Sequence, residues 1–178
     1  MLAKITRQMG EITVCLHNIG PNAPSSLLDT TTQRYMKMLE ICAGSALIVG
    51  REVASRMLAT GNGGCILFTG ATASLRGASG FAAFSGGMAA KRMLAQAMSR
   101  ELAPQGIHVA HVIVDGVIDT PFHATDRSPV PRDKYAQLAA NEGIMDPDAI
   151  ADSFVVLANQ KRSAWTFELD LRPWTESW

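Results

Sequence analysis

The chain has 178 residues, 47% hydrophobic and 18% charged, which is enough for one core, short for two, and far from the polar composition of disorder. Sixteen basic residues balance sixteen acidic ones, so no net charge steers the protein to nucleic acid or to an anionic membrane, and neither partner is expected. The expectation is a single domain over residues 1–178.

Cys15, Cys42 and Cys65 each sit in an apolar run rather than in a C-x-x-C pair, which reads as buried small hydrophobes in a reducing cytosol, with no metal. The first 18 residues hold no long uncharged apolar segment behind a basic cap. Neither signal peptide nor membrane span is expected, and the compartment implied is the cytoplasm.

Residues 1–9 read as the tail of a helix stopped by Gly10, which tolerates the positive φ found just past helix ends. Residues 11–16 (EITVCL) then form a short β-branched and apolar run, as a buried parallel strand does. The following 17–26 (HNIGPNAPSS) is a loop by its Gly, Pro, Asn and Ser content. Thr30 or Thr31 can cap a helix running to about Leu58 and ending near Thr60 and Gly61. Between Ile41 and Val49 it is apolar or small all round, so both of its sides should be covered, one by the sheet and the other by a helix or partner subunit.

A turn at Asn62-Gly63-Gly64 leads into a second buried strand over 65–69, a loop over 70–80 and a helix over 81–103 ended by Pro104 and Gly106. Ala90, Met93, Leu94, Ala97, Met98 and Leu102 supply its expected core stripe. Residues 107–114 are a third strand, in which His108 and His111 point to opposite faces and cannot share a metal; each is expected to be structural or exposed. The Pro- and charge-rich 119–147 reads as a lid with one short helix near Tyr135 to Asn141. Asp146-Pro147-Asp148 opens a helix to about Asn159, and 165–171 alternates like a half-exposed strand.

Alternating strands and helices imply an α/β fold, a Rossmann-like parallel sheet of about four strands flanked by helices, with ligands beyond the carboxyl ends of the strands. Those ends carry residues 17–20, 69–74 and 115–120.

These residues resemble the carboxyl-terminal two thirds of the short-chain dehydrogenase/reductase family. His17-Asn18-Ile19-Gly20 looks like its N-N-A-G motif, and Asp115-Gly116-Val117-Ile118-Asp119-Thr120 looks like its P-G-x-x-x-T motif. FTGATASLRG followed by FAAFSGGMAAKRMLAQAMSRELAPQGIHVAHV resembles the span from the family's serine strand through its Y-x-x-x-K helix. The resemblance implies an NAD(P)-dependent oxidoreductase, with Asn18, Gly20, Gly116, Ile118 and Thr120 at the cofactor. It also implies a homo-oligomer, through the helices 31–60 and 81–103 or the strand edge 11–16.

The departures lie at the chemistry. The resemblance puts the family's serine at Ala71, its tyrosine at Phe84, its lysine at Met88 and its asparagine at Ile41, and none of these side chains carries a proton to transfer. Lys91 falls about 300° round the helix from Met88 and has Gly87 four residues before it, so no shifted Y-x-x-x-K exists. No T-G-x-x-x-G-x-G turn precedes Glu11, and without its backbone N–H groups a dinucleotide should bind weakly. The expectation is a truncated, weak or inactive relative, with two alternatives: a non-catalytic binding or regulatory subunit, or a hydrolase pairing His17 with a loop hydroxyl among Thr72, Ser74 and Ser85.

Overall fold

The structure is a computed structural model that describes residues 2–125, 128 and 130–176; Met1 and the last two residues of the tail, Ser177 and Trp178, lie outside the described residues. Helix α1 (Leu2–Met9) ends as expected at Gly10, whose φ is +94° and whose N–H donates to Thr6 O at 3.0 Å. Strand β1 is shorter than the apolar run suggests, Val14–His17 rather than 11–16. Pairing begins only where the backbone reaches β2 (Gly64–Ala71), with Val14 opposite Cys65.

Thr31 caps helix α2 (Thr32–Leu39), its Oγ1 accepting from Arg34 N at 3.2 Å. The helix is not continuous to Thr60. A π turn, Glu40–Gly44, divides α2 from α3 (Ser45–Thr60). The widened turn lies where α4 (Ala82–Leu102) approaches most closely: a Cβ on Gly87 would sit 3.0 Å from Met38 O and 3.2 Å from Cys42 Sγ. Helix α3 stops at Gly61 in the left-handed region, φ +70°.

Strand β3 (Ile107–Val114) is buried along its whole length. A short ladder follows, in which β4 (Val117–Ile118) pairs with β5 (Ile144–Met145). Helix α5 (Arg132–Ala140) lies between them, and α6 (Pro147–Ala158) is capped by Asp146, whose Oδ1 accepts from Asp148 N at 2.9 Å. Strand β6 (Glu168–Leu171) is half-buried, as its alternation implies. The β4–β5 ladder was not foreseen, because two-residue strands leave no periodic pattern.

The main sheet runs β1-β2-β3-β6, four strands and all parallel. Alternate residues of β2 and β3 supply two cores. Ile66, Phe68, Ile107 and Val109 pack with Val53, Met57 and Ala95 of α3 and α4 on one face. On the other, Leu67, Ala110 and Val112 pack with Leu157 and Phe154 of α6. A third cluster of Met38, Cys42, Ala83, Phe84 and Met88 joins α2 to the start of α4.

One expectation about a helix face is corrected in part. On α4 the buried line is Ala83, Phe84, Gly87, Met88, Lys91, Ala95 and Leu102, whereas Met93 is 48% exposed and Ala97 is also exposed. Leu94, Met98 and Leu102 of the expected stripe do join the core, and the rest of the buried line was missed because small residues on several sides of α4 leave its apolar moment weak. Cys42 of the π turn and Ala46 of α3 face inward, whereas Leu47 and Ile48 are 47% and 60% exposed, so among the described residues no element covers the outer side. His108 and His111 do lie on opposite sheet faces, and both are buried.

Candidate functional site

A cleft of about 590 Å³ opens beyond the carboxyl ends of β1, β2 and β3. The ends of parallel strands are where backbone leaves the sheet and side chains from different elements converge. Asn18, Gly20, Ala71, Phe84, Met88, Gly116 and Ile118 all line this cleft. Thr120 does not; it lines an adjoining depression with Asp119, His123, Arg132 and Tyr135. Ile41 lines neither and stands in the π turn, where its carbonyl accepts from Ser45 Oγ at 2.5 Å.

Lys91 is the feature that sequence reading missed. It is 1% exposed, lines the cleft, and its Nζ donates to Ile19 O at 2.6 Å and to Thr69 O at 2.9 Å. Burial holds its pKa down to about 8. A spacing signal existed, since seven residues along a helix return to within about 20° of the same face, so Lys91 shares its face with Phe84.

Asp115 is a second hub, 2% exposed. Its carboxylate accepts from Thr72 Oγ1, from Arg76 at 2.9 and 3.1 Å, and pairs with Arg172 at 3.3 Å. The network ties the turn after β2 to the end of β3, fixing the cleft's wall. Elsewhere on β3, His111 faces Glu168 at 3.2 Å, and Arg92 grips that carboxylate with bonds of 2.6 and 2.7 Å. The Arg92 guanidinium holds Glu168 below the usual carboxylate range. Burial pushes His111 down to about 4.

The hydrolase alternative loses its pair. His17 Nε2 meets Ser45 Oγ of α3 at 2.9 Å, and neither residue lines the cleft. The loop hydroxyls are engaged elsewhere: Thr72 with Asp115, Ser74 with Ala71 N at 3.1 Å, and Ser85 with Arg76 O at 3.5 Å. Burial and the Lys91 charge hold His17 down to about 4. Among the described residues no group of three His, Cys, Asp or Glu side chains is placed to hold a metal ion.

The comparisons with known proteins agree with this architecture. The family model described as enoyl-(acyl carrier protein) reductase matches residues 1–168. The protein described as "Probable oxidoreductase EphD" of Mycobacterium tuberculosis (strain ATCC 25618 / H37Rv) is 23% identical over 168 residues, covering 89% of this chain and 28% of that one. The crystal structure of a short-chain dehydrogenase from Rhodopseudomonas palustris is 40% identical, covers 91% of this chain and 62% of that one, and superposes with a TM-score of 0.70. Acetoin dehydrogenase from Enterobacter cloacae, 18% identical with a TM-score of 0.81 over 96% of this chain and 66% of that one, shares the fold. The chain thus spans less than two thirds of the length of EphD and of the Rhodopseudomonas protein. With a parallel β1-β2-β3-β6 sheet and a match over nearly its whole length, the chain belongs to the short-chain dehydrogenase/reductase family.

Proposed function

We propose that this protein is an oxidoreductase relative whose cleft binds ligand without carrying the ordinary proton-transfer step. One observation carries the reading. Ala71, Phe84 and Met88 all line the cleft, at the positions where the family resemblance calls for serine, tyrosine and lysine, and none of them can give or take a proton. Loss of a general acid or base alone costs about 10²- to 10⁴-fold in rate.

NAD(P) is the cofactor the family implies, and the cleft fits one end of it. Asn18, Gly20, Gly116 and Ile118 would hold the nicotinamide and ribose. A Cβ on Gly20 would lie 3.3 Å from Met88 Sδ and 3.7 Å from Lys91 Nζ, so backbone runs close to the cleft floor there. Gly116 serves packing as well, because a Cβ there would lie 2.7 Å from Pro173 Cδ. Thr120 stands apart from this group, and residues 1–178 contain no glycine-rich T-G-x-x-x-G-x-G turn. A bound NAD(P)H would bring a hydride donor to the cleft, and the chain's own part would be to orient its ring and exclude water.

A binding or regulatory role within an oligomer is the second reading, favoured by the exposed apolar groups. Val14 and Leu16 of the edge strand β1 and Leu47 and Ile48 of α3 present hydrophobic surface that a second copy would cover. We place the protein in the cytoplasm, since Cys15, Cys42 and Cys65 are all free; no helix among the described residues is long and apolar enough to cross a membrane.

The test is NADH and NADPH titration of the purified chain, followed by cofactor fluorescence, alongside carbonyl reduction assays. Weak or absent saturation and no turnover above background are expected. Tight binding with turnover of ordinary enzymatic size, above about 1 per second, would overturn the reading.

A further inference from the structure

We propose that Lys91 makes the floor of the cleft a seat for a small organic anion, a carboxylate carried on an apolar body. Lys91 is the buried cation of this cleft, and among the described residues no carboxylate pairs with it. Its two bonds go to neutral acceptors, the carbonyls of Ile19 and Thr69. An ammonium has three N–H donors, so one is left for the cleft that Lys91 lines.

Arg76 and Asp115, two further charges lining the cleft, are engaged with other partners. Arg76 is held by Asp115, whose carboxylate also takes Thr72 and Arg172. Asp115 is thereby committed and is not available to Lys91. A buried charge without a counter-charge is costly, and an incoming anion would supply the missing partner where water is scarce. The surrounding walls, Phe81, Phe84, Met88 and Ile118, favour an apolar body behind the anionic head.

The two carbonyl bonds also join the end of β2 to the loop after β1, so loss of Lys91 would loosen the cleft even without a ligand role. Charge selectivity separates the two roles. The anion seat does not depend on NAD(P) binding, and its test is run without cofactor.

The probes are 3-phenylpropanoate and its uncharged amide, titrated into the intact chain by calorimetry at pH 7. The wild-type protein is expected to bind the carboxylate at least about tenfold more tightly than the amide, a difference of about 1.4 kcal/mol. Lys91→Met should bring the ratio to near one while the amide still binds. Equal affinity for the two probes, binding of neither, or an unchanged ratio in Lys91→Met would overturn the proposal.

If Lys91→Met does not fold, the wild-type pH dependence serves instead. The titratable groups around the ammonium are His17 on β1, Cys42 in the π turn and His111 on β3, with Asp115, Lys134 and Glu176 farther along the cleft. Both histidines are held to about 4 and burial holds the Cys42 thiol up, so none of these three groups that feel the Lys91 charge changes its own charge near pH 8. The carboxylate preference should fall as pH rises through about 8, with amide binding flat. A preference constant from pH 7 to 9 would overturn the proposal.

Discussion

Gly70 lies against the imidazole of His111, so closely that a Cβ on Gly70 would overlap the ring atoms Cε1 and Nε2. Gly70 pairs in register with Ile113 near the carboxyl end of β2, and the ring fills the space that its missing side chain leaves open. Both atoms in conflict belong to a ring that is fully buried, with no room to swing away. Gly70→Ala should therefore destabilise the fold by about 1–3 kcal/mol, the usual cost of overpacking. Urea unfolding at pH 7 checks this, and a midpoint equal to wild type would contradict the packing described.

Acid should weaken the protein through two imidazoles. His17 and His111 are each held to about 4 by burial, against about 6.5 in an unfolded chain. Between those values the unfolded state binds protons that the folded state does not, so stability falls as pH drops from about 6.5 to 4. The loss is of order 2–3 kcal/mol for each histidine. Unfolding followed at pH 7, 5.5 and 4.5 should show the decline in wild type and a shallower one in His17→Asn.

Asp115 is expected to be the most sensitive side chain of the cleft wall. Removing it leaves the guanidinium groups of Arg76 and Arg172 facing a site built around a carboxylate. Arg172 keeps Asp170 at 2.5 Å and Arg76 reaches solvent, so the loss is that of hydrogen bonds to a charged acceptor, about 1.5–3 kcal/mol. Asp115→Ala should lower thermal stability accordingly, and Arg76→Ala should cost less because the Arg76 side chain is 41% exposed. Equal losses in the two variants would contradict this ordering.

Self-association is expected through the uncovered apolar surface. Sedimentation equilibrium at micromolar concentration should show dimers or larger species, and Ile48→Asp or Leu16→Lys should shift them toward monomer. A stable wild-type monomer would remove the oligomer from the proposed function.

The short-chain dehydrogenase/reductase architecture was legible from sequence because it rests on local patterns. Apolar runs bounded by Gly and Pro marked β2 and β3, Thr31 and Asp146 marked their helix starts, and Gly10 and Gly61 marked helix ends. Each of these depends on a few neighbouring residues, so no knowledge of the fold is needed to read them. The convergence of Asn18, Ala71 and Gly116 followed from placing strand ends together in a parallel sheet, and Phe84 and Met88 joined them through the family resemblance.

Only tertiary structure decided the electrostatics. Lys91 reads in sequence only as a helix lysine with no tyrosine four residues before it, and what buries it is the loop after β1 and the end of β2, whose carbonyls it meets 72 and 22 positions away. Asp115 reads as a turn residue, yet its partners Thr72 and Arg76 come from 43 and 39 positions upstream. The π turn arose where α4 presses Gly87 against α2, and the outer side of α3 stays exposed because none of the described residues packs over it. Local propensity fixes which residues form helices and strands, whereas a buried charge is defined by what lies across space from it, and sequence spacing carries no record of that distance.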